Sequence, residues 1–182
     1  MELTPTLWRT CRVLAGPTRL ELLRRIIESP DRCVTELTEA AGLSETRASQ
    51  ELRRLQARGL VQAVRSARWL RYRPVPDPKV PSAKPLLGAM KAAFARGVAD
   101  EQTIRVAKAF SNERRLTLVR VLKEGPAGGE ALRRLGGMSK PALFRHLQVL
   151  KAGGVARRTG KGWELAPNAH PLAKALKGLL ED

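Results

Sequence analysis

Hydrophobic residues recur every three to four positions through most of this chain, and that spacing predicts amphipathic helices. In the first part of the chain the pattern places helices over residues 7–15, 18–29, 34–42 and 44–59. After Gly59 the spacing changes to two in LVQAV and WLRYR, which predicts two strands around a short basic turn. The local order is therefore four helices followed by a hairpin.

The same pattern starts again in the second part of the chain. Helices are expected over residues 101–110, 111–125, 128–137, 139–153 and 169–181, and a hairpin is expected in VARRTGKGWEL. The segment LSETRASQELRRLQARGL resembles MSKPALFRHLQVLKAGGV, and their helix-capping serines, Ser44 and Ser139, lie 95 positions apart. A repeat of this length predicts a duplicated domain and not a solenoid.

The fold class that follows is mostly α with small β-hairpin wings. We expect two tandem winged helix-turn-helix domains that form an intramolecular pseudo-dimer. Domain 1 would cover residues 1–78, a linker and connecting helix residues 79–99, and domain 2 with its C-terminal helix residues 100–182. The many prolines in RPVPDPKVPSAKP indicate the linker or an extended connection.

Charge narrows the choice of partner. The 182 residues include 34 Lys and Arg against 17 Asp and Glu, a net charge of +17 that both parts of the chain share. Such an excess attracts polyanions, and a nucleic acid is expected on charge alone. Together with the pattern of helices and hairpins, double-stranded DNA is the expected partner. The chain has no apolar run of about 18 residues, no signal-peptide pattern at its start and only two cysteines. We therefore expect a cytoplasmic, nucleoid-associated protein without a membrane partner.

Two segments carry a family resemblance. LAGPTRLELLRRI, at residues 14–26, resembles the second-helix signature of ArsR-type (ArsR/SmtB-like) winged-helix repressors, and FSNERRLTLVRVL, at residues 110–122, is a weaker version. The serine-capped helix and the basic hairpin with Trp69 and Tyr72 complete the resemblance. It implies sequence-specific DNA binding, usually by a homodimer, and transcriptional repression that a ligand or metal relieves. With two copies in one chain, we expect a monomeric chain, with a homodimer as the alternative.

The first serine-capped helix has one apolar and one polar face. Ala48, Leu52 and Leu55 should pack inward, so the opposite face would lie in the DNA major groove, where Arg reads guanine and Gln reads adenine. A solvated polar face is the alternative. Arg53 and Arg54, near the helix end, are expected on phosphates. The candidate DNA contacts are Ser44, Thr46, Arg47, Ser49, Gln50, Arg53 and Arg54.

The second serine-capped helix has a thinner polar face opposite its three inward leucines. Its candidate contacts are Ser139, Lys140, Ala142, Arg145, His146 and Gln148. Phe144 replaces Ser49 and would contact a thymine methyl or a neighbouring domain. His146 is the family-like residue where the first copy has Glu51, which can accept from cytosine but is repelled by phosphates. The two helices should therefore read different half-sites.

The hairpins are basic, as expected of wings that contact phosphate or enter the minor groove. The candidates are Arg65, Arg68 and Arg71 in the first wing, and Arg157 and Lys161 in the second. Arg68 and Lys161 should lie at the tips. Trp69 and Trp163 occupy equivalent positions, and we expect both to be core anchors and not base-stacking platforms.

The sequence offers little for a metal site or a catalytic site. Cys33-Val34-Thr35-Glu36-Leu37 resembles the metal-sensing element of the family, but Thr35 replaces its second cysteine. We therefore expect no metal, no cofactor and no enzymatic activity. A redox pair of Cys11 and Cys33 is an alternative to two buried free thiols.

The function expected from these features is that of a DNA-binding transcriptional regulator, a repressor, that reads an asymmetric pseudo-palindromic site with two recognition helices. A tandem winged-helix scaffold for protein interactions, like condensin-accessory subunits, is one alternative. A non-specific nucleoid DNA binder is another. Salt dependence separates the scaffold from the others, because a scaffold has no need of a +17 charge.

Overall fold

A computed structural model describes residues 6–180 of the chain. The first elements are α1 (Leu7–Leu14), α2 (Pro17–Glu28), β1 (Arg32–Cys33), α3 (Val34–Ala41), α4 (Glu45–Gln56), β2 (Gln62–Ser66), β3 (Trp69–Arg73) and α5 (Ala83–Ala95). They are followed by α6 (Asp100–Phe110), α7 (Glu113–Lys123), α8 (Gly129–Leu135), α9 (Lys140–Ala152), β4 (Ala156–Thr159), β5 (Gly162–Leu165) and α10 (Pro171–Gly178). The ends of the two expected domains, residues 1–5 and 181–182, lie outside the described range.

Helices α4 and α9 begin where the sequence predicts, because a serine caps each of them. The Ser44 hydroxyl accepts a hydrogen bond from the Arg47 amide, and the Ser139 hydroxyl accepts one from the Ala142 amide, both at 3.4 Å. Helix α4 ends at Gln56, three residues before the expected end at Gly59. The winged helix-turn-helix order is therefore confirmed in the first part of the chain, with small antiparallel sheets.

Strand β1 is an element that the sequence pattern missed. It pairs antiparallel with β3, and Arg32 lies opposite Tyr72, so the first sheet has the order β1-β3-β2. In the second part β4 and β5 form a two-stranded sheet, and Ala127 forms a β-bridge with Trp163 in the place that β1 takes in the first sheet. Each hairpin is therefore hydrogen-bonded to a short segment that precedes it in the chain.

The proline-rich segment after the first hairpin is an extended connection that packs on the body of the protein. The Asp77 amide donates to the Gly59 carbonyl at 2.9 Å, and Val80 is buried. Gly59 has a φ of +67°, and a Cβ there would lie 3.0 Å from side-chain atoms of Asp77 and Val80. The connection thus leads into α5 along a fixed path.

Two pairs of helices join the parts of the chain. Helix α1 packs against α6, and α5 packs against α10. Their apolar residues belong to one continuous core, which runs from Leu14 through Leu86 and Met90 to Phe110 and Leu176. Arg24 of α2 adds an ion pair with Asp100 of α6, and its guanidinium lies 4.1 Å from the centre of the Phe94 ring. No helix within residues 6–180 is long and apolar enough to cross a membrane.

Candidate nucleic-acid interface

Helix α4 presents the polar face that its sequence predicts. The inward residues Ala48, Leu52 and Leu55 are completely buried. The outward candidates Thr46, Arg47, Gln50, Arg53 and Arg54 are exposed, as is Ser44, whereas Ser49 is half-buried. A surface of hydrogen-bonding and cationic side chains therefore runs along the helix, in the form that a major-groove reader needs.

Two arginines of this face have partners within the protein. One terminal nitrogen of Arg47 donates to the Thr18 hydroxyl at 3.3 Å, and Arg54 donates to Glu51 at 2.8 Å. The Arg47 contact holds the start of α4 against the start of α2. The guanidinium groups are thus oriented before any ligand arrives, which lowers the entropy lost on binding.

Glu51 lies beside this face and not on it. It is buried, and its two carboxylate oxygens lie 2.7 Å from Arg19 and 2.8 Å from Arg54. Burial raises the pKa of Glu51, but the hydrogen bonds and positive charges of the two arginines outweigh it, so the pKa lies below its ordinary value. Both oxygens of Glu51 thus bind arginines of the protein itself, which makes Glu51 a structural partner of Arg19 and Arg54.

His146 of α9 contacts Arg115 in the way that Glu51 of α4 contacts Arg19. The ring is half-buried, and its Nδ1 lies 3.4 Å from a terminal nitrogen of Arg115. Burial lowers the pKa of His146, and the charges of Arg115, Arg114 and Arg145 lower it further. The neutral ring accepts from Arg115 at Nδ1, so His146 joins α9 to α7, and base reading by this residue stays a prediction.

The rest of α9 is more open and more apolar than α4. Leu143, Leu147 and Leu150 are buried, as expected. The candidates Ser139, Lys140, Arg145 and Gln148 are exposed, and Ala142 is half-buried. Phe144 is 61% exposed in the middle of this face. The two faces thus differ in chemistry, in line with the expectation that they would read different sequences.

The tips of both hairpins carry the expected cations. Arg68 and Lys161 are exposed residues of the tight turns between the paired strands, and Arg65 is exposed beside the first turn. Arg71, by contrast, is turned toward β1, where it donates to the Asp31 carbonyl at 2.5 Å and lies 3.7 Å from Glu36. Arg157 donates to Glu164 at 2.7 Å across the second hairpin. Through these contacts Arg71 and Arg157 stabilise the wings themselves.

The two hairpin tryptophans have different environments. Trp163 is 9% exposed, and its backbone bonds with Ala127 hold it against the body, so its role as a core anchor is confirmed. Trp69 is 40% exposed, so the same expectation was wrong there. It pairs with Ser66 at the outer end of its hairpin, beyond the core, and the Arg68 guanidinium lies 4.9 Å from its ring centre.

The residues that position α4 and α9 were missed by sequence reasoning. The Arg19 Nε donates to the Val13 carbonyl at 2.7 Å, and the Arg115 Nε donates to the Ala109 carbonyl at 2.9 Å. Each arginine thus joins three helices: Arg19 joins α1, α2 and α4, and Arg115 joins α6, α7 and α9. The signal was present, since Arg19 is the arginine of the PTRL segment and Arg115 lies 96 positions after it.

The two cysteines are free and buried. Burial raises the pKa of the Cys11 thiol far above its ordinary value, which makes it unreactive. Cys33 is the residue before α3, and its amide donates to Glu36 at 2.7 Å. Within the described part of the chain, no group of three or more His, Cys, Asp or Glu residues is placed to hold a metal ion.

Comparison with known proteins identifies the class of the segment that contains α4. Residues 16–63 match the family described as bacterial regulatory protein, arsR family. They span α2 to the start of β2 and contain Arg19, Glu51 and all of the α4 face. This segment is therefore an ArsR-family helix-turn-helix domain.

Two curated relatives agree with this assignment. One, from Halobacterium salinarum, carries the name of the arsenical resistance operon repressor ArsR2 and is 38% identical over 68 residues, 37% of this chain and 57% of its own length. The other, from Streptomyces lividans, carries the name of a mercury resistance operon repressor and is 44% identical over 72 residues, 40% of this chain and 56% of its own length. The chain thus spans a little over half the length of each relative. No solved structure matches it.

Proposed function

We propose that this protein is a DNA-binding transcriptional regulator that acts as a repressor. The observation that carries the proposal is the ArsR-family domain at residues 16–63, whose α4 exposes Thr46, Gln50 and Arg53 on one face. Two relatives of this domain are named as operon repressors. The net charge of +17 supports DNA as the partner, because neutralising phosphates releases counterions.

We further propose that one chain supplies both reading helices, α4 and α9. Three observations support this arrangement: the recurring order of elements, the pairing of α1 with α6 and of α5 with α10, and the shared contacts of Arg19 and Arg115. In a helix-turn-helix dimer the two reading helices enter the major groove about 34 Å apart. Because the faces of α4 and α9 differ, the site would be an imperfect palindrome.

The decisive experiment is a selection of bound fragments from genomic duplex DNA, followed by footprinting and a mass measurement of the complex. The proposal predicts one chain on one asymmetric site and an affinity that falls steeply with salt. The Gln50→Ala variant should lose about 10- to 100-fold in affinity and relax the preference at one half-site only. The matched control is Gln102→Ala, at an exposed position of α6 outside both reading faces.

Sequence-blind binding by the wild-type chain would instead favour a general nucleoid DNA binder and would overturn the proposal. Two chains on one palindromic site, with four reading helices, would overturn the one-chain arrangement alone. The Arg145→Ala variant tests α9 separately, with Arg120→Ala on α7 as its control. If Arg145→Ala leaves the base preference at both half-sites unchanged, Arg145 of α9 does not read bases.

A second candidate function rests on one observation in the second part of the chain. Phe144 and Leu135 are exposed large apolar residues at 61% and 56%. Phe144 lines a cavity of about 770 Å³ that also contains Trp163. A protein partner could bind there, as in tandem winged-helix scaffolds. Binding of that kind should resist salt, so the salt titration separates the two functions.

A further inference from the structure

A cavity of about 500 Å³ lies between α1, the start of α2 and the last turns of α4. Its wall is mostly cationic with one aromatic ring, and it is formed chiefly by Trp8, Arg9, Arg12, Arg19, Arg54 and Arg58. None of the described residues that line it is acidic. The cavity is unusual because it gathers five guanidinium groups in one small volume.

A carboxylate neutralises part of the positive charge around this cavity. Glu51, which lies just behind the wall, binds Arg19 and Arg54. Arg9 and Arg12 each lie 5.1 Å from the centre of the Trp8 ring, a contact that adds no negative charge. Burial and the nearby charge of Arg9 lower the pKa of Arg58. The charges of Arg9 and Arg58 thus repel each other, and an anion in the cavity would lower this repulsion.

The size and the donors of the cavity define the chemistry of a ligand. Small-molecule sites commonly measure about 300 to 1,000 Å³. Guanidinium groups bind carboxylates and phosphates through two parallel hydrogen bonds, and several of them together favour a multiply charged anion. We propose that this cavity binds a small organic anion that carries two or more negative charges on carboxylate or phosphate groups.

Recessed arginines favour a small ligand over a phosphate of the DNA duplex. Arg9, Arg12 and Arg54 are exposed at the rim, but Arg58 is half-buried and the Arg19 side chain is only 18% exposed. A duplex presents its phosphates on a convex surface, which can reach the rim. Only a small molecule fills the space between the rim and the recessed groups.

The position of the cavity gives the anion a regulatory effect, a consequence that rests on the proposed function. Arg54 and Arg58 lie in or just after the last turn of the reading helix α4, and Arg9 and Arg12 belong to α1. A bound anion would neutralise cations beside the reading face, so DNA affinity should fall. Binding of the anion itself requires no DNA and can be tested alone.

The first test is calorimetric titration of the full chain with citrate and, separately, with pyrophosphate, at constant ionic strength. Acetate at matched ionic strength is the monovalent control. The proposal predicts saturable binding of one anion per chain for citrate or for pyrophosphate, and none for acetate. Preference between the two separates carboxylate from phosphate ligands. Absence of saturable binding for both would overturn the proposal.

Variants locate the site. Arg12→Gln should weaken binding of the preferred anion at least 10-fold. The matched control is Arg105→Gln, because Arg105 is the exposed counterpart of Arg9, 96 positions later, on α6, where Ile104 replaces Trp8. Equal loss of anion affinity in both variants would mean that the anion binds through the net charge of the protein. That result would overturn the proposal of a defined site. Trp8→Phe, which keeps an aromatic wall, should retain binding, and thermal melting checks the folding of each variant.

A second measurement separates this inference from the proposed function. If the preferred anion binds but leaves DNA affinity unchanged, the site stands and its regulatory effect does not. If Arg12→Gln weakens DNA binding about 10-fold while anion titration shows no site, the arginines contact phosphates of the duplex, and the small-anion proposal is overturned. If the chain binds no specific DNA sequence, the anion titration still tests whether the cavity binds an anion.

Discussion

His170 is a buried titratable residue whose protonation state affects folding. It is 4% exposed, its Nδ1 accepts from the Leu172 amide at 3.1 Å, and its Nε2 lies 3.0 Å from the Thr103 hydroxyl. Because Nδ1 accepts, the single proton lies on Nε2 and is donated to Thr103. The neutral ring thus caps α10 and joins it to α6, and burial lowers its pKa.

This geometry predicts that the protein loses stability in mild acid. The unfolded state takes up a proton at about pH 6.5, whereas folded His170 does so only at lower pH, so the free energy of unfolding falls as the pH drops through that window. Urea unfolding from pH 8 to pH 5 measures the fall. His170→Asn should reduce it, because Asn can keep the cap without titrating. His146 also has a lowered pKa, so His146→Asn is the control. If the free energy of unfolding of His170→Asn falls with pH as much as that of the wild type, the prediction is wrong.

Glu51 gives a second prediction at the residue scale. Glu51→Gln leaves the largely buried Arg19 without its carboxylate, and we expect it to lower the free energy of unfolding by roughly 2 kcal/mol. Chemical denaturation measures the change. The exposed Glu39 provides the control, and Glu39→Gln should change stability by less than about 0.5 kcal/mol. Equal effects of the two substitutions would show that the contact with Arg19 contributes nothing to stability.

At the scale of elements, Gly59, which follows α4, fixes the path of the proline-rich connection that leads to α5. Gly59 and Gly42 both have positive φ angles, +67° and +63°, but only at Gly59 would a Cβ meet other atoms, whereas nothing lies within 4 Å at Gly42. Gly42→Ala should therefore cost only the strain of the left-handed backbone, about 1 to 2 kcal/mol. Gly59→Ala should cost clearly more, because it also displaces Asp77 and Val80.

Thermal or urea melts of the two alanine variants test this difference. A larger loss at Gly42 would contradict the packing of the proline-rich connection. The comparison is matched, because Gly42 follows α3, Gly59 follows α4, and both glycines have a left-handed backbone conformation.

The helices and hairpins could be predicted from the sequence because their signals are local. Ser44 and Ser139 cap their helices, and the apolar spacing on α4 and α9 states which side is buried. Strand β1 has only two residues, too few to show an alternation, and its partner Tyr72 is distant in the chain. Trp69 follows the strand pattern, but its hairpin extends beyond the core, which no local pattern records.

The candidate site could be predicted only in outline for the same reason. The exposed face of α4 follows from helical geometry. The partners of Glu51, His146 and His170 depend on which helices meet, and Thr103 lies 67 positions before His170. The cavity of arginines beside Trp8 likewise needs α1, α2 and α4 to be placed together.

At the scale of the whole molecule, the continuous core predicts that both parts of the chain unfold together. Leu86 of α5 is completely buried against the α10 side of the core, so Leu86→Ala should lower stability by about 2 to 5 kcal/mol. The loss should appear equally in hydrogen exchange of α4 and of α9. Leu70→Ala, at an exposed wing position, is the control. Selective loss of protection in the first part alone would contradict the single cooperative unit.

The pairing of α1 with α6 and of α5 with α10 has a consequence inside a cell. These helix surfaces are covered by the same polypeptide, so they are not available for contact with a second chain. Proteins that assemble from separate subunits can exchange them and form mixed species, and the assembled fraction depends on how much protein is made. Under the one-chain arrangement that we propose, each newly made molecule already contains both reading helices. The fraction of protein able to bind DNA should then not depend on expression level through the assembly of subunits.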